Sequence, residues 1–314
     1  MANPIAVVNE AHNVALRIQG WMLKSIGYDV YAAGESFRKI VPNYHYSGQI
    51  LPEILGVMER KDMPQDALFL DTHPGSIPAL RATGWSGPIL VVWYMPVGPE
   101  WISQNFRVMG KVGSLAWSAA VGRFFREWGV CPNDGFWPPY YGNIDTTPRE
   151  TVGDYLITAI ENAAGWSNVP VLEQLRDDPH AKLELYGGAP PAWSRKIPQK
   201  EFFARLRGCR AMYHLKPFDT PGFAVMEAAL SGVPIIFPPD WMKSTETKFF
   251  IEGDSCLIVP TQKEAVLEAV KRLSDRTENL RMGRAGQKVV QIEIDWKVNA
   301  PRFKALIDAV RRMP

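Results

Sequence analysis

The strongest constraint on the fold is an alternation of short apolar runs and amphipathic segments that passes through the chain twice. The first cycle has a β-branched run at Ile5–Val8, a segment of helical periodicity at Val14–Ile26 that ends before Gly27, and an apolar run at Tyr28–Ala32. This order of strand, helix and strand is typical of a parallel sheet with helices on its faces. Further strands are predicted at 67–70, 88–94 and 114–117, and further helices at 77–83 and 119–128.

A segment rich in turn-forming residues separates the two cycles. Residues 131–148 read CPNDGFWPPYYGNIDTTP and show little periodicity, which indicates a linker. A chain of 314 residues is long enough for two doubly wound α/β domains around it, with ligands at the carboxyl ends of the strands in the cleft between the halves. After the linker, strands are predicted at 155–160, 182–186, 211–215, 233–237 and 257–259, and helices at 169–176, 200–206, 222–230, 263–274 and 280–291.

Composition narrows the class of protein. Hydrophobic residues make up 46% of the chain and charged residues 22%, as in globular proteins, and a net charge of +2 neither requires nor excludes a polyanionic partner. The cysteines Cys131, Cys209 and Cys256 share no C-x-x-C spacing, so we interpret them as buried small hydrophobic residues in a reducing compartment. The apolar runs at 89–97 and 233–239 are too short to span a bilayer, and the first residues do not resemble a signal peptide, which predicts a cytoplasmic protein.

A motif in the second cycle resembles one of a known family. Residues 219–228 read DTPGFAVMEA and residues 229–236 read ALSGVPII. They resemble the donor-sugar motif E-x-x-G-[FL]-x-x-x-E-A, and its continuation A-x-[AS]-x-G-x-P-V-[IV], of the large retaining group-1 or family-4 type branch of GT-B glycosyltransferases. Residues 251–260 (IEGDSCLIVP) and 294–303 (IDWKVNAPRF) are similar to the later DGETGLLVP strand and FSWEKVAERY helix of that branch.

The resemblance implies a fold and an activity. It implies an α/β protein with the GT-B fold, in which two Rossmann-like doubly wound domains face a central cleft and the C-terminal helix crosses back to the first domain. We predict an acceptor domain at 1–142, a nucleotide-sugar domain at 143–295 and the returning helix at 296–314. The implied enzyme is a hexosyl- or pentosyltransferase that moves a sugar from a UDP-, GDP- or ADP-linked donor to an acceptor hydroxyl, with retention, without a metal and without a cofactor.

The resemblance also assigns roles at the donor end of the site. Glu227 is implied to accept hydrogen bonds from both ribose hydroxyls, since a carboxylate has two acceptor oxygens. Gly222 would let the backbone approach the diphosphate at a helix N-terminus, and Asp219 is the implied catalytic acid against the hydroxyls of the transferred sugar. The remaining donor-binding candidates are Lys216, Thr220, Pro221, Phe223, Asn162, the glycine turn at Gly187, and Lys196 and Ile197 beside the base.

Candidates in the first half rest on their positions after predicted strands. His73 either orients the donor sugar and the leaving phosphate or forms a structural hydrogen-bonded pair with the neighbouring aspartate. Asn9 either lines the cleft or caps the first helix. His12 and Ser118 are further cleft candidates, and Arg123 either lines the cleft or is a solvated helix charge.

Two departures from the family pattern set the open questions. The family's arginine and lysine that clamp the diphosphate are missing from residues 160–168 (IENAAGWSN), although the charge that develops on a leaving diphosphate needs stabilisation. Aspartate at position 219 shortens the reach of the usual glutamate by one methylene. The candidate replacements for the missing cations are Lys216, Lys243, Arg195, Lys196 and Arg123.

The acceptor and the class of activity stay open. A hydroxymethylated base in viral DNA, a glycan and a lipid are all compatible with the sequence. A DNA acceptor requires basic residues in one stripe, for which Arg38, Lys39, Lys111, Arg123 and Arg126 are the candidates. Two further classes of protein are compatible with the same architecture: a nucleotide-sugar epimerase or phosphorylase, and a non-catalytic GT-B-like binding protein that has lost its phosphate clamp.

Overall fold

The computed structural model describes residues 2–9, 13–40, 55–71, 75–93, 110–116, 144–159, 169–187, 193–215, 223–239 and 250–313. The chain divides into two compact units, one of residues 1–141 with 294–314 and one of residues 142–293. The predicted helix at 119–128 and most of the predicted linker lie outside the described residues.

Short parallel strands and amphipathic helices alternate in the described ranges. The strands are β1 Ile5–Asn9, β2 Asp29–Ala33, β3 Gly56–Met58, β4 Leu68–Asp71, β5 Ile89–Trp93, β6 Val112–Ala116, β7 Leu156–Ala159, β8 Glu184–Tyr186, β9 Ala211–Tyr213, β10 Ile235–Phe237 and β11 Cys256–Ile258. The helices are α1 Asn13–Ser25, α2 Ser76–Ala82, α3 Val169–Arg176, α4 Gln199–Gly208, α5 Phe223–Leu230, α6 Lys263–Arg272, α7 Arg276–Glu293 and α8 Trp296–Arg312. Two short 3-10 helices, Glu35–Lys39 and Arg60–Asp62, also lie in the described part of the first unit.

The first unit is built on a parallel sheet with the order β3-β2-β1-β4-β5-β6. This is the strand order of dinucleotide-binding folds, and it reverses direction between β1 and β4. Those two strands pair in the register that sets Asn9 opposite Asp71 at their carboxyl ends. The point where ligands bind in such sheets is therefore flanked by these two residues.

The C-terminal helix α8 packs within the first unit. A Cβ on Gly113 of β6 would lie 2.1 Å from Cγ2 of Val310, so the glycine allows the helix to lie directly on the sheet. At its other end the indole Nε1 of Trp296 donates to Oγ of Ser25 at 2.6 Å, and its ring lies 5.5 Å from that of Trp21. Two of the tryptophans thus hold α8 against α1.

The second unit contains a parallel sheet with the order β11-β10-β9-β7-β8. Relative to chain order this is a 2-1-3-4-5 arrangement, which is doubly wound and reverses between β7 and β9. Ile157 of β7 pairs with Met212 of β9. The predicted burial of Cys209 and Cys256 is confirmed, and burial raises the pKa of each thiol to about 12; Cys131 lies outside the described residues.

Helix α5 is held closely against its neighbours. The amide of Gly232 donates to the carbonyl of Ala229 at 2.8 Å and the amide of Val233 to that of Ala228 at 3.0 Å, which is a Schellman ending with glycine at positive φ (70°). A Cβ on Gly283 of α7 would lie 2.0 Å from the carbonyl oxygen of Gly232, so α7 approaches this turn as closely as a glycine permits.

Candidate functional site

Helix α5 places one carboxylate in an apolar environment. The helix connects the parallel strands β9 and β10, so its N-terminus lies at the carboxyl edge of the sheet, where ligands bind. Its sequence, FAVMEAAL, is apolar except for Glu227, which is buried with 9% of its surface exposed. Burial of a carboxylate is costly unless it is hydrogen bonded, so this residue marks a polar function on a helix that otherwise packs as core.

The C-terminal end of α5 is anchored by side chains from two other segments. Nε2 of Gln287 on α7 donates to the carbonyl of Leu230 at 2.6 Å and to that of Thr146 at 2.9 Å. Nη1 of Arg149 donates to the carbonyl of Gly232 at 3.2 Å. The bond to Leu230 satisfies a carbonyl group that the helix end leaves without a helical partner, and together the bonds fix the C-terminal end of the helix that carries Glu227.

His214 is a buried titratable residue at the same edge that the sequence did not single out. It follows β9 directly and is 2% exposed, and its amide donates to the carbonyl of Ile236 at 2.9 Å. Its ring meets the ring of Phe237 edge-on at 5.9 Å. Because His214 lies in the apolar run at 211–215, the sequence pattern predicts only that it is a core residue. Its place at the end of the strand beside the sheet reversal is the signal that could have identified it.

The predicted base-side residues come together at the carboxyl end of β8. The amide of Gly187 donates to the carbonyl of Arg195 at 3.1 Å, and the amide of Arg195 donates to the carbonyl of Leu185 at 3.0 Å. The segment of Arg195, Lys196 and Ile197 therefore lies along the glycine turn. Arg195 and Lys196 are both exposed, so their charges are available to an anionic ligand at this edge.

The first unit has a buried polar pair at its own sheet reversal. Nδ2 of Asn9 donates to Oδ2 of Asp71 at 3.3 Å, and the two side chains are 0% and 1% exposed. Asn9 ends β1 and pairs with Asp71 of β4; residues 10–12, which precede α1, lie outside the described ranges, so the interpretation of Asn9 as its N-cap stays a prediction. Asp71 was not among the candidates, since in the sequence it appears only as a neighbour of His73.

Several candidates lie outside the described residues and stay predictions: Asp219, Gly222, Thr220, Pro221, Lys216, Asn162, His73, His12, Ser118 and Arg123. The same holds for Lys243 and Arg126. Phe223 is described and forms the first residue of α5.

Three of the five basic residues proposed for a DNA-binding stripe are described, and they lie at both ends of the strands of the first sheet. Arg38 and Lys39 follow the carboxyl end of β2, and Nη1 of Arg38 lies 3.2 Å from a carboxylate oxygen of Glu35. Lys111 precedes the amino end of β6. In a parallel sheet these ends lie at opposite edges, about 15 Å apart for strands of this length.

Metal-binding clusters and membrane-spanning helices are both absent from the described ranges. No group of three or more histidine, cysteine, aspartate or glutamate side chains that could hold a metal ion is present in them. No helix in them is long and apolar enough to cross a membrane.

Comparison with known proteins identifies the fold. A family model described as "Glycosyl transferase-like" matches residues 169–305, which include α5 and Glu227. The chain is similar to HepE from Anabaena, which has been solved in complex with UDP and glucose and in complex with UDP-glucose. The match to the complex with UDP and glucose has a TM-score of 0.66 and 10% sequence identity, and it covers 98% of this chain and 100% of that one. No curated protein sequence matches the chain.

Two further structures show the same architecture. Sucrose-phosphate synthase from Thermosynechococcus elongatus has a TM-score of 0.63 and 13% identity, with 98% of this chain and 99% of that one covered. A glycosyltransferase from Rickettsia africae has a TM-score of 0.65 and 10% identity, with 99% of each chain covered. The predicted α/β fold of the GT-B type is confirmed, and with the family match the predicted resemblance to GT-B glycosyltransferases is confirmed as well.

Proposed function

We propose that this protein with the GT-B fold is a glycosyltransferase, which moves a sugar from a nucleotide-sugar donor, with UDP as the first nucleotide to test, to an acceptor hydroxyl, with retention and without a metal. The observation that carries the proposal is Glu227, the one charged residue of α5, buried on a helix that begins at the carboxyl edge of the sheet. The complexes of HepE with UDP and UDP-glucose support the choice of nucleotide.

The donor binds to the second unit in this proposal. The ribose hydroxyls donate to the two oxygens of Glu227, and the diphosphate lies against the amides of the first turn of α5, where Gly222 leaves room for it. Asp219 accepts from hydroxyls of the transferred sugar. Arg195, Lys196, Lys216 and Lys243 are candidates to replace the missing phosphate clamp, and of these Arg195 and Lys196 are described, beyond the carboxyl end of β8.

The first unit binds the acceptor in this proposal. In the retaining reaction the acceptor oxygen bonds to the anomeric carbon while the bond from that carbon to the phosphate oxygen breaks. The acceptor proton passes to the leaving phosphate oxygen, which makes a dedicated base unnecessary. His73 orients the sugar or the phosphate, and Asn9 is held at the sheet edge by its bond to Asp71.

Calorimetric titration of UDP, GDP and ADP tests the donor site, because it needs no knowledge of the acceptor. Wild-type protein is expected to bind one of the three, and Glu227→Ala to weaken that binding about 100-fold through loss of two hydrogen bonds to a charged acceptor. Glu268→Ala is the matched control, since Glu268 is an exposed glutamate on α6, away from α5. Hydrolysis of a panel of nucleotide sugars then identifies the sugar.

The competing functions are outcomes of the same experiments. Absence of binding by all three nucleotides would favour a non-catalytic binding protein, and interconversion of the sugar without transfer would favour an epimerase. Salt-dependent binding of an oligonucleotide would favour a DNA acceptor.

A further inference from the structure

A buried arginine lies in the segment that precedes β7. Arg149 is 3% exposed, and its guanidinium donates to three backbone carbonyls: Gly232 at 3.2 Å, Thr151 at 3.2 Å and Cys209 at 2.5 Å. No carboxylate of the described residues forms an ion pair with it. Burial lowers the pKa of the Arg149 guanidinium, but arginine stays protonated at any physiological pH. The protein therefore contains a buried cation that is compensated by carbonyl dipoles.

Two of the three carbonyls that Arg149 binds lie at the C-terminal ends of helices. Cys209 follows α4 directly, and Gly232 is the glycine of the Schellman ending of α5. The C-terminus of a helix carries a partial negative charge and carbonyl groups without helical partners, so one cation placed between two such ends stabilises both. Arg149 thus ties the preceding segment, α4 and α5 to one another.

Glu227 lies close to this anchored end. It precedes Leu230 by one helical turn, about 5 Å along the axis, and the amide of Ser231 donates to its carbonyl at 3.0 Å. Because α5 is a rigid helix of eight residues, a displacement of its C-terminus displaces the carboxylate of Glu227 by a similar amount. Sub-ångström placement matters for hydrogen bonds to a ligand.

We propose that Arg149 is a positioning residue for the donor site: it sets the place of Glu227 by fixing the C-terminus of α5 to α4. The part of this proposal that concerns a ligand rests on the proposed function; the part that concerns α5 does not. Gln287 contributes to the same anchor through its bond to Leu230.

The test compares Arg149→Met with Arg207→Met. Methionine keeps the apolar stem and removes the donors. Arg207 holds the same preceding segment through the carbonyls of Asp145 at 2.6 Å and Thr147 at 3.1 Å, and none of these bonds involves α5, so it controls for loosening of that segment alone. Hydrogen exchange of the α5 amides and the dissociation constant of UDP are measured well below the unfolding temperature, with the KM and kcat of donor hydrolysis.

Arg149→Met is expected to speed exchange in α5 and to raise the dissociation constant of UDP and the donor KM about tenfold over Arg207→Met, with kcat little changed. Arg149→Lys, which keeps the charge and one donor direction, is expected to restore most of the affinity.

Equal exchange in α5 for the two methionine variants, or UDP binding by Arg149→Met at wild-type strength, would overturn the proposal. If wild-type protein binds no nucleotide, the proposed function fails, and the exchange in α5 still decides the anchoring. If Arg149→Met does not fold, Arg149→Gln, which removes the charge but keeps an amide donor, is compared with Arg207→Gln by the same measurements and the same outcomes.

Discussion

The polar groups at the two sheet reversals are carried by different kinds of element. In the first unit Asn9 and Asp71 end neighbouring strands, and the register of the sheet sets them opposite each other. In the second unit Glu227 lies on a short helix, and contacts at the far end of that helix fix its place. A residue on a paired strand is located by the backbone ladder alone, whereas a residue on a connecting helix needs a separate anchor. The proposed donor side is therefore the one that distant residues are able to disturb.

The largest effect on the free energy of unfolding is expected at the close backbone contact between α7 and the C-terminal end of α5. Gly283→Ala places a methyl group 2.0 Å from the carbonyl oxygen of Gly232, which can move only with the helix. We expect a loss of about 3 kcal/mol in the free energy of unfolding, measured by urea denaturation. Gly113→Ala in the first unit meets the side chain of Val310 at a similar distance, and a rotamer change can relieve it. If Gly113→Ala proves the more damaging of the two, the first unit is the less tolerant one.

The next test separates stability from binding. Asp71→Ala removes the acceptor of the buried Asn9 amide and is expected to lower the free energy of unfolding by about 2 kcal/mol, with UDP affinity unchanged. Glu227→Gln keeps the size of the side chain but removes the charge and one acceptor, and is expected to weaken UDP binding about tenfold with little loss of stability. Denaturation curves and titrations on both variants measure this. A loss of UDP affinity in Asp71→Ala would show that the two sheet edges are coupled.

The smallest effect concerns charge at the surface of the second unit. Hydrogen bonds from Arg281 and Arg272 lower the pKa of Glu278 to about 2, from its ordinary value near 4.5. A carboxyl whose pKa is lower in the folded protein stabilises the fold above its unfolded pKa, and this contribution is lost as the pH falls from about 4.5 to 2. Because the pair is solvent accessible, Glu278→Gln is expected to cost under about 1 kcal/mol at pH 7 and nothing near pH 2.

The carboxyl group of the first unit that we compare with Glu278 is that of Glu59. Its pKa is lowered by hydrogen bonds from Ser36, whose amide donates to Oε2 at 2.8 Å. Glu59→Gln is therefore expected to show the same dependence on pH at a smaller amplitude, since the bonds that lower its pKa come from neutral donors. A larger amplitude than that of Glu278→Gln in acid denaturation would reverse this order.

Sequence patterns located the regular elements but not the anchors. Helix α3 has the predicted bounds 169–176, and β5 and β10 lie within their predicted apolar runs. These elements were predictable because amphipathic helices show a periodic pattern of apolar residues and buried parallel strands show short apolar runs. Strand β3 was missed, since three residues that begin with glycine show no periodicity. The predicted placement of Glu227 on a helix is confirmed, and its role stays a proposal.

Arg149 could not be found from the sequence for a physical reason. It follows a segment rich in turn-forming residues, and an arginine in such a segment is predicted to be exposed to solvent. Its partners are backbone carbonyls, which every residue possesses, and Gly232 is 83 positions away. The pair of Asn9 and Asp71, 62 positions apart, depends likewise on strand register that the sequence does not specify.

The anchoring of the segment at 144–151 also determines where the gene can be cut. Besides Arg149, Arg276 donates to the carbonyl of Glu150 at 2.7 Å, and Gln287 to that of Thr146 at 2.9 Å. A recombinant fragment that begins at Tyr155, just before β7, would lack Arg149, so the C-terminal ends of α4 and α5 would lose their cation. It would also expose the close contact between Gly232 and Gly283. A fragment of residues 144–293 keeps these bonds, and it is the one to express when the second unit is to be studied by itself.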